Sequence, residues 1–466
     1  MILKTISRLL LKPVICIYSL RRCRREFSNF SKKYWYIFQI ERNNITVNLK
    51  GGIHLNPFDE KPVKIFDTIQ NWKSLYDYSY DKNTVDPYTK TRVILMNGTE
   101  YEANWFSHQF ARNCDNNDIK RELALARYIE KQQQKKIATL RPINETILET
   151  TISYEQLAID LTAVLAKRET DINVKSALDF ALLEDFDHLY RYSDLLELEH
   201  GVHAEKLVGK YTEIMPGRPT ISHHRHPYDN IKNHINAKTA SPTTKLNVAI
   251  ITAAEQQTMN YYMNIAGFYE SDRGRKIYQE IGLVEEEHVT QYESLMDPNL
   301  SWFENLLCHE YTECYLYYSC FKDETDEKIK KIWEQFFMQE VSHLHKAAEL
   351  LKIYEKKDWQ EVIPGGAFPP LLKLGSNIEY IRDILKNTAD NTSDKEGYTK
   401  VGDISKSSDF FKFQEKINNN ENEVPSHEFI NSYINQKGED YRYETKLSPL
   451  QELQDKTKDN YDLGRK

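Results

Sequence analysis

The chain has 466 residues, a length that favours two to three domains and allows a sizeable buried core. Hydrophobic residues make up 40% of the sequence and charged residues 28%, the balance of a globular protein. A net charge of −8 with both signs interspersed argues against a nucleic acid partner, and no apolar run reaches the roughly 20 residues of a membrane-spanning helix.

Residues 1–26 form a basic extension or targeting segment. The first 25 residues contain seven lysines and arginines, no acid, and leucines between the cations. This composition is typical of a disordered extension, an organellar transit peptide or an amphipathic membrane-surface segment. Since no secretory signal is evident, the expected location is the cytoplasm, or an organellar matrix if the segment is a transit peptide.

Residues 27–117 are predicted to form a smaller mixed N-terminal region. Short apolar runs alternate there with glycines and prolines, and the pair Asn97-Gly98 is typical of a turn. These patterns predict short strands and turns, and the region contains no catalytic motif.

Residues 118–355 are predicted to be mostly helical, interrupted by a connection over 200–244 that is rich in proline and glycine. The histidines of the run His223-His224-Arg225-His226 in this connection could help load metal, but a solvated loop is the favoured interpretation. Residues 356–386 are expected to form a packing extension, and the polar residues 387–466 a flexible tail.

One spacing of acids and histidines occurs three times in the helical region. In each case an acid is followed thirty residues later by a second acid, and three residues after that by a histidine. The three sets are Glu155, Asp185 and His188; Glu255, Glu285 and His288; and Glu310, Glu340 and His343.

This spacing is the one expected for two arms of a helix hairpin. The midpoints near residues 170, 270 and 325 all fall in charged, turn-like stretches, so each set predicts a helix hairpin. Both acids then lie roughly 22 Å from the turn, at the same height on the two arms. The acid and the histidine at i and i+3 share one helix face.

Two such hairpins would supply the ligands of a dinuclear metal site. Two divalent ions close together need several carboxylates to offset their charge and imidazoles to complete their coordination. The alternative is a helical bundle whose acids and histidines are solvated or salt-bridged. A single Glu-x-x-His motif would favour that alternative, whereas three sets at one spacing favour the metal site.

The hairpins from Tyr154-Glu155-Gln156 to His188 and from Ala254-Glu255-Gln256 to His288 resemble those of rubrerythrins and manganese catalases. The acid pair Glu310 and Glu313 is similar to one on the third helix of rubrerythrins. The resemblance covers about residues 144–355. Residues 91–106 and 208–219 also resemble an uncharacterised group of bacterial ferritin-like proteins, which has no assigned reaction.

The resemblance implies a mainly α fold: a ferritin-like helical bundle of three helix hairpins with a mixed N-terminal region and a flexible C-terminal tail. The chain departs from the family in three ways. Asp185 stands where glutamate is expected, no Cys-x-x-Cys motif is present to build a rubredoxin-like electron relay, and three hairpins replace two.

Which hairpins share the site depends on topology. The connection over 200–244 suits the long crossover between the two halves of such a bundle, which favours pairing the first hairpin with the second. Pairing the first with the third also satisfies the crossover geometry. The third hairpin would otherwise be a second half-site or a buried polar network.

The expected cofactors are two iron or manganese ions in a dinuclear centre. The implied function is redox chemistry of peroxide or oxygen, as in a peroxidase- or catalase-like oxidoreductase. Without an internal relay, the centre needs an external electron donor or must disproportionate peroxide. The alternatives are metal storage without turnover, which needs a homo-oligomeric cage, and a metal-free structural or interaction protein.

Overall fold

The computed structural model describes residues 55–76, 78–418, 424–442, 447–451 and 454. The predicted basic extension and the first part of the mixed N-terminal region lie outside these residues. Within the described ranges, no helix is both long enough and apolar enough to cross a bilayer.

The described residues form a mainly α-helical structure. Its first eight helices are α1 (Pro87–Arg112), α2 (Asn117–Ala138), α3 (Ile147–Arg168), α4 (Ile172–His200), α5 (Glu205–Val208), α6 (Thr220–His223), α7 (Pro242–Ala266) and α8 (Asp272–Glu293). These are followed by α9 (Trp302–Asp323), α10 (Glu327–Glu355), α11 (Ile378–Thr388), α12 (Asp409–Asn418) and α13 (Pro425–Lys437). Strands β1 (Asn391–Asp394) and β2 (Gly397–Lys400) pair antiparallel between α11 and α12.

Polar side chains fix where the long helices begin. Thr146 and Ser301 cap α3 and α9, and in each case the glutamate three residues later bonds back to the cap residue. Asp171 and Asp326 cap α4 and α10 by accepting hydrogen bonds from two backbone N–H groups. The three turns predicted near residues 170, 270 and 325 fall between α3 and α4, α7 and α8, and α9 and α10.

Eight long helices pack as four sequential pairs, and the pairs combine into two groups of four. The pair α3–α4 packs on α7–α8, with contacts of α3 with α7 and of α4 with α8. The pair α1–α2 packs on α9–α10, with contacts of α1 with α9 and of α2 with α10. Helix α1 joins the two groups because it also contacts α3 and α7.

The prediction of strands and turns before residue 118 is wrong over α1. Asp86 caps this helix and Pro87 occupies its first turn, which is a favourable start. The Asn97-Gly98 pair, which indicated a turn, lies in the middle of the helix. A Cβ atom at Gly98 would lie 2.8 Å from the Cβ of Gln257, so glycine is needed there for the close approach of α7.

The predicted polar tail also contains defined elements, namely β1, β2, α12 and α13. Buried ionic contacts hold Arg442 of this segment in place. Arg442 pairs with Asp194 in the second half of α4 and with Glu205 at the start of α5. Charged residues in this segment therefore serve as buried partners, a role that its polar composition does not reveal.

Asp160 on α3 links four parts of the structure. Its Oδ2 accepts hydrogen bonds from the hydroxyls of Tyr88 at 3.0 Å and Thr212 at 2.7 Å, and the amide of Asn377 lies 3.3 Å from its Oδ1. Burial raises the pKa of Asp160 to about 7, although these hydrogen bonds act in the opposite direction.

We expect this buried acid to make stability depend on pH. The folded chain holds the Asp160 proton more tightly than the unfolded chain between about pH 4 and pH 7, so the free energy of unfolding falls as pH rises through that window. Asp160→Asn, which mimics the neutral acid, should gain about 2 kcal/mol relative to wild type between pH 5 and pH 7. Denaturant unfolding of both proteins at the two pH values measures this change, and a constant difference would contradict it.

Candidate metal centre

Six of the nine predicted ligand residues come together in the group formed by α3, α4, α7 and α8. We call this set cluster A: Glu155, Asp185, His188, Glu255, Glu285 and His288. Each residue is at most 1% exposed, so the cluster is closed off from bulk solvent. Helices α3 and α7 supply one acid each, and α4 and α8 each supply an acid and a histidine three residues apart.

Glu285 lies at the centre of cluster A. His188 Nδ1 lies 2.9 Å from its Oε1, and His288 Nδ1 lies 3.1 Å from its Oε2. His288 Nδ1 is also 3.3 Å from Asp185 and 3.8 Å from Glu255. One glutamate therefore joins both imidazoles, and one imidazole faces acids from three helices.

Several oxygens in cluster A are buried without a hydrogen-bond partner among the described residues. They are both oxygens of Asp185, both oxygens of Glu255, and Oε2 of Glu155. Burying a carboxylate without compensation costs several kcal/mol, since neither water nor a donor replaces its hydration. These atoms are therefore free to bind a cation.

Burial and the short distances between the acids also shift the pKa values of cluster A. Burial, followed by repulsion from neighbouring carboxylates, raises the pKa values of Asp185 and Glu155 well above the ordinary range. Glu285 differs: although burial raises its pKa, hydrogen bonds from the two histidines bring it down to about 2. Bound cations would remove both the desolvation cost and the repulsion.

A second layer of acids surrounds cluster A and is neutralised by arginines. His288 Nε2 donates to Glu184 at 2.6 Å, which leaves Nδ1 facing the cluster. Arg225 donates to both oxygens of Glu184, at 2.9 and 3.1 Å, and forms an ion pair with Glu287 at 2.9 Å. A carboxylate bonded to the outer nitrogen of a histidine fixes the ring orientation that a metal ligand needs.

The interpretation of the run 223–226 as a solvated loop is wrong for His223 and His224, which are buried. His223 donates to the carbonyl of Arg218 at 2.8 Å, and His224 forms an ion pair with Glu280 at 3.1 Å. The run packs against the acid-rich faces of α4 and α8, and those acids account for its burial.

Backbone contact also holds the crossover against α4. The N–H of Gly217 donates to Asp187 Oδ1 at 2.8 Å. A Cβ atom at this position would lie 2.7 Å from the carbonyl oxygen of Leu183 and 2.8 Å from the Asp187 backbone nitrogen. Glycine is therefore required for the chain to approach the helix that carries Asp185 and His188.

Tyrosines line the side of cluster A next to Glu155. Tyr262 donates its hydroxyl proton to Glu155 Oε1 at 2.5 Å. Its ring packs against Tyr192 and Tyr278, at centroid distances of 5.2 and 5.7 Å. A phenol is thus hydrogen-bonded directly to a candidate ligand, and its aromatic neighbours help exclude water.

The remaining three predicted residues, Glu310, Glu340 and His343, do not join cluster A. They lie in the other group of helices with residues that the sequence analysis missed. We call this set cluster B: Glu100, Glu130, Gln133, Glu310, Glu313, Glu340 and His343. Glu313 was noted as part of an acid pair but was not predicted as a ligand.

A signal for the missed residues exists in the sequence. Glu130 follows Glu100 by thirty residues, and Gln133 follows three later, which is the spacing of the other three sets. The set was overlooked because glutamine stands in the histidine position and because a turn was expected at Gly98. Within the described residues there are thus four helix pairs with this spacing, whereas three were predicted.

The donor set of cluster A could hold a metal ion. Ligand atoms of Glu155, Asp185, His188 and Glu285 lie within 4.8 Å of one another, and so do those of Asp185, Glu255, Glu285 and His288. Asp185 and Glu285 belong to both groups of four residues. Oxygen and imidazole donors without a thiolate suit iron and manganese.

Comparison of the chain with models of known protein families, with curated proteins and with solved structures gives no significant match.

We expect Asp185→Asn to lower the metal content of the purified chain, since an amide carries no negative charge and is a weaker ligand for a cation than a carboxylate. Asp160→Asn is the matched control because it changes another buried aspartate, one whose oxygens are already hydrogen-bonded. Elemental analysis after desalting measures both variants against wild type. Equal metal retention in the two variants would contradict the assignment of Asp185.

Proposed function

We propose that the chain is a ferritin-like dinuclear carboxylate protein in which cluster A holds two iron or manganese ions for redox chemistry of peroxide or oxygen. This proposal rests on one observation: cluster A contains two groups of four residues with ligand atoms close together, and Asp185 and Glu285 belong to both groups. In proteins of that class, four helices each direct ligands inward, and two of the helices carry a Glu-x-x-His pair. Cluster A has the same arrangement, with Asp185 in place of one glutamate.

Charge balance supports two ions rather than one. Cluster A contains four carboxylates, and two divalent cations would offset their full negative charge when both imidazoles are neutral. The nearest arginines do not take this role: Arg218 and Arg225 face Glu184 in the surrounding layer, at 4.0 and 2.9 Å. A single divalent ion would leave two buried negative charges uncompensated.

Iron or manganese in such a centre changes oxidation state and supplies electrons to, or takes them from, oxygen or peroxide. The side chains of this chain have supporting roles. Glu184 holds the ring of His288 in one orientation, and the tyrosine layer keeps water out. Tyr262 holds a proton at its hydroxyl beside Glu155, since burial, followed by the nearby charge of Glu155, raises the pKa of this phenol well above its ordinary value.

The electron source must lie outside the chain or be the peroxide itself, since the sequence contains no Cys-x-x-Cys site for a relay. Two overall reactions are compatible with this requirement. In disproportionation, two hydrogen peroxide molecules give two waters and one dioxygen. In reduction, one hydrogen peroxide takes two electrons and two protons from a donor and gives two waters.

Metal analysis of the purified full chain tests the proposal. Protein produced with iron and manganese available should hold about two ions that are lost in Asp185→Asn and kept in Asp160→Asn. The metal content of Asp160→Asn minus that of Asp185→Asn gives the number of ions bound at cluster A alone. A folded wild-type chain with no more metal than Asp185→Asn would contradict the proposal and favour a structural role.

Activity assays then separate turnover from storage. Wild-type protein and Asp160→Asn should evolve dioxygen from hydrogen peroxide, or consume peroxide with a chemical reductant, and Asp185→Asn should do neither. Size-exclusion chromatography gives the assembly state. A shell-sized oligomer that accumulates iron well beyond its ligand sites without consuming peroxide would overturn the redox role in favour of storage.

A further inference from the structure

Cluster B repeats the hydrogen-bond arrangement of cluster A in the other group of helices. Glu340 accepts hydrogen bonds from Gln133 and from His343 Nδ1, the latter at 3.0 Å. Glu285 accepts from His188 and His288 in the same way. Each central glutamate therefore joins the third-position residues of two helix pairs.

The acids of the first helices correspond as well. Tyr317 donates its hydroxyl proton to Glu100, as Tyr262 does to Glu155. Each tyrosine follows an acid of its own helix by seven residues, Glu310 in α9 and Glu255 in α7. His343 Nδ1 lies 3.9 Å from Glu310, and His288 Nδ1 lies 3.8 Å from Glu255. The two clusters are thus equivalent by position and by contact.

Cluster B contains buried acceptor atoms without hydrogen-bond partners in the part of the chain that the structure describes. They are both oxygens of Glu313 and one oxygen each of Glu100, Glu130, Glu310 and Gln133. These residues are all at most 3% exposed. Among the described cations, His343 alone forms an ion pair with the five acids of the cluster.

One imidazole cannot offset five buried carboxylates, so an acidic cluster of this kind requires further positive charge or protonation. Ligand atoms that could bind a cation already lie close together in cluster B. Those of Glu130, Glu310 and His343 lie within 4.8 Å of one another, as do those of Glu310, Glu313 and Glu340. Glu310 belongs to both trios, which gives two adjacent positions for a cation.

The donor chemistry differs from that of cluster A at two positions. Gln133 replaces the histidine found at 188, and its amide nitrogen already donates to Glu340. Glu313 occupies the position that Thr258 has in α7, three residues after the first acid of the helix. Cluster B therefore has one imidazole fewer and one carboxylate more.

We propose that cluster B is a second dinuclear metal site, and that its oxygen-rich donor set takes hard divalent cations such as Mn²⁺ in preference to ions that favour imidazole. Carboxylate and carbonyl oxygens suit Mn²⁺, whereas imidazole contributes more to binding of Zn²⁺, Fe²⁺ and Cu²⁺. A chain with both sites filled would hold about four ions, two in each group of helices. This inference does not require cluster A to bind metal.

Metal counting in matched variants of the full chain tests the second site. Glu310→Gln with Glu313→Gln removes ligands of cluster B, and Asp185→Asn with Glu255→Gln removes ligands of cluster A. Wild type should retain about four ions, each double variant about two, and the quadruple variant almost none. Circular dichroism checks that each variant remains helical, and His343→Gln replaces the cluster B variant if that one does not fold.

The pattern of loss separates this inference from the proposed function. If wild type and the cluster B variant retain equal metal, cluster B is a buried polar network and the inference is wrong. If the cluster A variant matches wild type while the cluster B variant loses its metal, cluster B is the binding site and the proposed role of cluster A fails.

Competition between Mn²⁺ and Zn²⁺ tests the proposed preference of cluster B for Mn²⁺. In the cluster A variant, Gln133→His should raise the affinity for Zn²⁺ relative to Mn²⁺ on the order of tenfold. Gln133→Glu, which also changes the side chain but adds no imidazole, is the control and should not shift the ratio toward Zn²⁺. Equal shifts in the two variants would overturn the assigned role of Gln133.

Discussion

Mutual repulsion between carboxylates buried in an apolar helical core is the constraint on which this structure depends. Cluster A gathers four acids and cluster B five, each at most 3% exposed, among helices whose other inward positions are largely aliphatic or aromatic. Neither hydration nor a distant surface charge can compensate acids at such depth. The folded state therefore needs positive charge or protonation at specific points, and the arrangement of cations around the clusters shows where the chain supplies positive charge and where it does not.

The chain supplies arginines to acids that surround cluster A, whereas the oxygens of Asp185 and Glu255 inside it have no hydrogen-bond partner among the described residues. Glu184 is held by Arg225, and Asp187 by Arg191 and the backbone of Gly217. Arg225 of the crossover and Arg191 of α4 thus provide counter-charge for the outer faces of α4 and α8. If the charged residues only stabilised the bundle, an arginine would also be expected beside Asp185. Its oxygens instead face three other acids and one imidazole, an arrangement that a cation would stabilise.

The sequence was sufficient to predict the mainly helical fold, the turns and the gathering of six residues in cluster A, because spacing along a helix determines which side chains share a face and a height. It was insufficient for α1. The Asn97-Gly98 pair is a turn signal in isolation, whereas in the structure Gly98 admits Gln257 of a neighbouring helix, a contact that no local pattern reports. The burial of His223 and His224 was missed for a similar reason, since their acidic partners lie on helices distant in sequence.

The comparison of the two clusters shows how one scaffold can support different chemistry. The spacing of thirty residues, the central glutamate and the tyrosine that bonds the first acid recur in both, so the helix geometry that gathers the ligands is common to them. What differs is the atom type at two positions, Gln133 and Glu313, each on a face already directed inward. The donor atoms at a cluster can therefore differ while the fold is retained. The apolar packing determines where acids and imidazoles gather, and a small number of polar side chains determine which donor atoms each cluster offers.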